Sequence, residues 1–177
     1  MHSTQIHKQD PPNRLARVNA ALLDDAEALI GTLDESAYGT IGGQIRHIVE
    51  FYECFFEGLA GRCVDYDARR RDPSIEKSRL TARGRIAALR VRLEEVPRID
   101  MEILVRAEDS AMNEFPDPPL RSSAGRELQS LASHTVHHFA VIALLLRSLG
   151  IQTRDGFGVA PSTLRHREAQ SARSEAA

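Results

Sequence analysis

The chain has no tryptophan, and aromatic residues make up only 5% of it. Two cysteines, Cys54 and Cys63, serve 177 residues. That scarcity excludes a disulfide framework and fits a reducing compartment, the cytoplasm. Lysine is almost missing: Lys8 and Lys77 stand against a background of arginine. Charge of neither sign dominates, with 23 basic and 25 acidic residues giving a formal −2. Such a balance offers no field for a nucleic-acid polyanion, so no nucleic-acid partner is expected. Long apolar runs are missing too. The longest, Phe139 to Leu146, falls well short of the about 20 residues that cross a bilayer, so no membrane association is expected. The opening MHSTQIHKQDPPNR lacks the apolar stretch of a secretory leader. No Walker loop, dinucleotide fingerprint or nucleophile elbow occurs. What remains is an ordinary globular balance, 42% hydrophobic and 27% charged, sized for one domain.

Apolar spacing predicts four helices. Leu15, Val18, Leu22, Ala26, Leu29 and Leu33 recur every three or four residues after Asn13, a plausible N-cap. Asp34-Glu35-Ser36 then reads as a break. Ile41, Ile45, Ile48, Tyr52, Phe55 and Leu59 form a second stripe from about Thr40, closing at the glycines 58–61. A charged linker, VDYDARRRDP, leads to a third helix, Ser74 to Val96, stopped by Pro97. Residues 100–122 carry MEILVRA and three prolines, and a short strand or β-hairpin stays open there. The fourth helix runs from Ser123 to Leu149. The expected fold is all-α, an antiparallel four-helix bundle over residues 13–164, with a flexible arm at 1–12 and a flexible tail at 165–177.

The fourth helix places histidines where leucines belong. Counting about 100° per residue from His134, His138 falls at about 40°, Leu131 at about 60° and Val141 at about −20°. His137 lies at about −60°, the edge of that stripe. Side chains four apart stack on one face, so the His134 and His138 imidazoles can address a common ion. Two unpaired imidazoles in a core cost free energy, and a metal would turn that cost into binding. By spacing alone an HxxxH pair is a weak motif, and hydrogen-bonded core histidines are its ordinary explanation. His47, at the margin of the second helix's apolar face, is the candidate third ligand. Three histidines that leave positions open suit a catalytic rather than a closed structural site. Neutral imidazole suits zinc, nickel, copper or iron.

These segments resemble the DinB-like (DinB/YfiT) family of metalloenzymes. The resemblance rests on IGGQIRHIVEFYECFF, on SHTVHHFAVIALLLRSLGI, and on the VDYDARRRDPSIE linker with the FGVAPSTL tail. It implies a four-helix bundle and a divalent metal held by three histidines, here His47, His134 and His138. It also implies thiol-dependent transfer or isomerase chemistry, a low-molecular-weight thiol as co-substrate, and a homodimer. Many members follow the histidine pair with Arg-Gly-Gln, where this chain has Phe139-Ala140-Val141.

The expected function is that of a metal-dependent enzyme, transferase-like or hydrolase-like, acting on a small molecule through a metal-bound thiol or water. His137 is a candidate acid or base. The alternative is a non-catalytic, dimerising helical bundle with a structural ion or hydrogen-bonded core histidines. Of the neighbours, Cys54 reads mainly as packing. Glu127 reads equally as an orienting group for a ligand imidazole or as a favourable charge at the helix start. Gln44 and Glu50 flank His47 by a turn each way, Glu50 more naturally in solvent. Arg69-Arg70-Arg71 reads as a solvated linker before it reads as an anion site.

Overall fold

The computed structural model describes residues 14–96, 99–106 and 118–175. The arm expected at 1–12 lies outside them.

The first helix, α1 (Arg14–Thr32), buries Ala16, Asn19, Leu23, Ala26 and Ile30. Helix α2 (Glu35–Gly61) starts on Asp34, whose side chain accepts the Ala37 N–H. The triplet that reads as a break is therefore a cap and a first turn. At its far end Arg62 takes the left-handed conformation, φ 52°, and its N–H reaches the Gly58 and Leu59 carbonyls. Strand β1 (Cys63–Asp65) follows at once.

The single third helix expected at 74–96 is two. The short α3 (Pro73–Lys77) ends at Ser78, which is extended at φ −134°. Ser78 accepts the Thr81 N–H and so caps α4 (Arg79–Glu94). Next come β2 (Glu102–Arg106), β3 (Leu120–Ser123) and α5 (Ala124–Ser148). Ser123 has two roles: it pairs with Glu102 at the end of β3, and its side chain accepts the Arg126 N–H as N-cap of α5. The last helix, α6 (Pro161–Glu175), has no buried residue among those described. The stretch expected to fray from 165 is thus helical as far as 175.

The three strands form one mixed sheet in the order β1-β2-β3. Strands β2 and β3 are antiparallel, Ile103 opposite Ser122 and Leu104 opposite Arg121. Strand β1 runs parallel to β2, Val64 opposite Val105. A parallel pair needs a long crossover, which α3 and α4 supply. The expectation of an all-α antiparallel four-helix bundle is therefore corrected. Six helices and a three-stranded mixed sheet are present among the described residues. The reason is the non-local β1–β2 pairing, which no local hydrophobic period announces.

The core lies where α2 packs on α4 and α5, and α1 on the same two helices. Tyr38, Ile41, Ile45, Ile48, Tyr52 and Phe55 of α2 meet Leu131, Phe139, Ile142 and Leu146 of α5 there. Burying each large apolar side chain stabilises the fold by about 1.5–3 kcal/mol. Gly42 shows how closely α3 seats on α2: a Cβ there would overlap the Glu76 carbonyl. Alanine at a helical glycine ordinarily gains about 1 kcal/mol. Here the backbone overlap outweighs that gain, and Gly42→Ala is expected to cost a net of about 1–2 kcal/mol. The exposed Gly39, where an added methyl would meet no atom within 4 Å, is the control. Gly39→Ala should hold or raise the melting temperature while Gly42→Ala lowers it, and equal effects would refute the packing argument.

Candidate metal centre

Helices α2 and α5 pack side by side and bring three histidines together. The His134 and His138 ring centroids are 4.4 Å apart, those of His47 and His134 5.0 Å, and those of His47 and His138 4.5 Å. One ligand nitrogen from each lies within 4.8 Å of the other two. All three residues are half-buried. The expected third ligand on α2 does meet the pair on α5, and the three could hold a metal ion.

The environment favours neutral rings. Burial pushes His47 down to about 3, aided by the neighbouring His138 and His134 charges. Burial likewise brings His134 down to about 4, with His138 and His137 contributing. His138 is lowered by burial first and by His137 second. Neutral imidazole is the form that binds metal. Gln44 then selects a tautomer. Its Oε1 lies 2.6 Å from His138 Nδ1; with Nδ1–H donating to that oxygen, the Nε2 lone pair is left for an ion. His134 Nε2 is buried with no hydrogen-bond partner. An orphaned ring nitrogen costs free energy, and a cation accepting its lone pair would offset that cost. The donor set and the orphaned atom both fit a divalent ion.

The lowered values carry a pH dependence. An unfolded histidine titrates near 6.5, whereas folded His47 and His134 stay neutral well below that. Between those limits the unfolded chain binds more protons, so stability of the metal-free protein falls as pH drops. Urea unfolding of chelator-treated protein from about pH 6.5 to about pH 5, where carboxylates still carry charge, should show a falling midpoint. His47→Phe should flatten that slope; a flat profile in the parent protein would refute the burial argument.

Phe51 lies against the site. Its ring stacks on His134 at 4.2 Å and on Tyr66 at 5.0 Å, and the Arg69 guanidinium sits 4.7 Å above it. Beside His134 opens a cleft of about 300 Å³, lined by Phe51, Tyr66, Val105, Leu131, Ser130 and Glu127. Glu127 is buried and accepts hydrogen bonds from Tyr66 Oη at 3.0 Å and Ser122 Oγ at 2.5 Å. A second cleft, along Arg62, Cys63 and Arg121, lies away from the histidines.

The other candidates separate clearly. His137 is exposed, its ring 5.3 Å from that of His138, outside the converging three. Cys54 is buried, and desolvation, with the Glu57 charge, pushes its thiol up to about 11. It is a packed thiol rather than a thiolate. Glu50, expected in solvent, is 2% exposed and accepts the Asp72 N–H at 2.5 Å, pinning the linker. Arg70 pairs with Glu57 at 2.7 Å. Sequence reasoning passed over Tyr66, Asn19 and Thr135, and read Tyr52 only as part of the apolar stripe of α2, not as a hydrogen-bonding hydroxyl. Tyr66 had one signal: the period-2 alternation Val64, Tyr66 inside a stretch dominated by charge.

No family model matches the chain, and no solved structure matches it. The protein is 34% identical over 109 residues to FK506-binding protein 5 of Rhizopus delemar, an alignment taking in 58% of this chain and 27% of that protein. The chain thus spans about a quarter of the length of the curated relative it matches. Coverage of that extent does not place the chain in a family. Among the described residues no helix is long and apolar enough to cross a membrane.

Proposed function

We propose that this chain is a DinB-like protein that binds one divalent metal and uses it in a metal-dependent reaction on a small molecule, transferase-like or hydrolase-like. The observation that carries the reading is the convergence of His47, His134 and His138 ligand nitrogens within 4.8 Å. Zinc suits three imidazoles best, and nickel or iron take the same donors. A divalent ion with an open position supplies Lewis acidity, bringing the pKa of a thiol or water toward neutrality. The chain's own groups do the rest. Gln44 holds His138 in one tautomer, Phe51 packs against His134 and is backed by Tyr66, and exposed His137, its ring 5.3 Å from that of His138, is the candidate acid or base. Two cysteines, both free, suit a cytoplasmic setting. Leu144 and Leu149, exposed on and just beyond α5, offer apolar surface for the homodimer that the family resemblance implies.

The test is elemental analysis of untagged protein grown with zinc, nickel and iron supplied, followed by a thiol and electrophile screen. About one equivalent of metal is expected, from a single three-histidine site. Addition of glutathione, bacillithiol or mycothiol to cobalt-substituted protein should shift the metal spectrum if a thiol is the co-substrate. Protein that stays metal-free under all three conditions would leave the histidines as hydrogen-bonded core residues of a non-catalytic fold.

A further inference from the structure

Glu127 is 6% exposed, yet among the described residues it has no arginine or lysine partner; its hydrogen bonds come from two neutral hydroxyls, one to each carboxylate oxygen. Buried carboxylates are ordinarily paired with a cation or bound to a metal. Two features of its surroundings offset the missing cation. It lies in the first turn of α5, where the helix N-terminus favours an anion. The Tyr66 and Ser122 hydroxyls both point their protons at it. A carboxylate offers about four lone-pair positions, so acceptor capacity remains. Glu127 also lines the cleft that His134 lines. The walls between them are aromatic and aliphatic: Phe51, Tyr66, Val105 and Leu131. At about 300 Å³ the space sits at the lower end of small-molecule sites.

From this geometry we infer that the cleft takes a small ligand carrying a protonated amine on an apolar body, with the ammonium on Glu127 and the body against Phe51, Val105 and Leu131. An ammonium supplies the missing countercharge and donates to the free lone pairs. Arg69 stacks on Phe51 but is not part of the lining. Were Arg69 the dominant group, an anion would be preferred instead. The inference rests on the metal reading only in treating the His134 end as the reacting end.

The test is titration of the full chain, zinc-loaded and chelator-treated, with phenethylamine, phenethyl alcohol and hydrocinnamate. The amine is expected to bind at least about tenfold more tightly than the alcohol, the scale of one charge-assisted hydrogen bond, and hydrocinnamate more weakly than either. Glu127→Gln should erase that preference while keeping its metal content. The ranking in the parent protein decides the matter even if the variant fails to fold. Equal binding of amine and alcohol, or preference for hydrocinnamate, overturns the inference. An amine preference in protein that takes up no metal sustains it and removes the metal reading; bound metal with no amine preference does the reverse.

Discussion

On the proposed reading, His138→Ala is expected to abolish binding of a divalent metal, weakening affinity by more than about a hundredfold, beyond the tenfold to hundredfold typical of changes to groups that merely orient a ligand. The three nitrogens come from two helices, so a two-histidine remnant is left with one donor on each. The graded comparison is Gln44→Leu, which keeps the ring but removes the acceptor 2.6 Å from its Nδ1; a loss of about 10–100-fold is expected there. His137→Ala should leave the metal in place, because its ring stands outside the converging set. Elemental analysis and competition with a chromophoric chelator read all three, and circular dichroism checks that the helices persist. Full stoichiometry in His138→Ala would remove His138 from the ligand set.

Asn19→Ala is expected to destabilise the protein by about 2–4 kcal/mol, the scale of one or two buried polar groups left unpaired. Asn19 is fully buried in α1. Its amide donates to the Leu15 carbonyl at 2.8 Å and, across to α5, to the Leu128 carbonyl at 2.9 Å. Its oxygen accepts the hydroxyl of Tyr52 in α2 at 2.6 Å, and Thr135 of α5 donates to that same hydroxyl at 3.3 Å. One side chain thus ties three helices together. Its loss leaves the proton of the fully buried Tyr52 hydroxyl without an acceptor. Thr135 follows His134 directly, so metal affinity should fall as well. Urea titration measures the first effect and chelator competition the second. Tyr52→Phe removes fewer bonds and should cost less; a loss under about 0.5 kcal/mol for Asn19→Ala, the usual surface level, would show the network to be incidental.

Asn19 also explains what sequence reading could and could not see. Of the stripe read for the first helix, Ala26 and Leu33 are buried as read, while Leu15, Val18, Leu22 and Leu29 each stand one position before a buried neighbour. The buried line runs through Ala16, Asn19, Leu23, Ala26 and Ile30, and Val18 is 40% exposed. A polar residue at the centre of the buried face masks the periodicity. In α2 the buried polar residues Glu50 and Glu53 are not members of the stripe, and Ile41, Ile45, Ile48, Tyr52 and Phe55 are buried as read. The α5 histidines were legible because two titratable rings interrupt an aliphatic face. His47 was legible only as a margin residue whose partner lay elsewhere. Strand β1 was hidden: three residues with Val64 alone buried, embedded in charge, whose partner β2 lies far along the chain. Helix α6 was hidden for the opposite reason, since it buries no stripe at all among the described residues.

Because Ser123 both closes the ladder opposite Glu102 and caps the helix that follows, the hairpin acts as a timing gear for α5. A one-residue slip of that strand would move the helix start and turn each imidazole by about 100° about the axis, out of mesh with His47. The convergence of the three rings is thereby set in part by strand registration at Glu102 and Ser123, positions outside the histidine cluster.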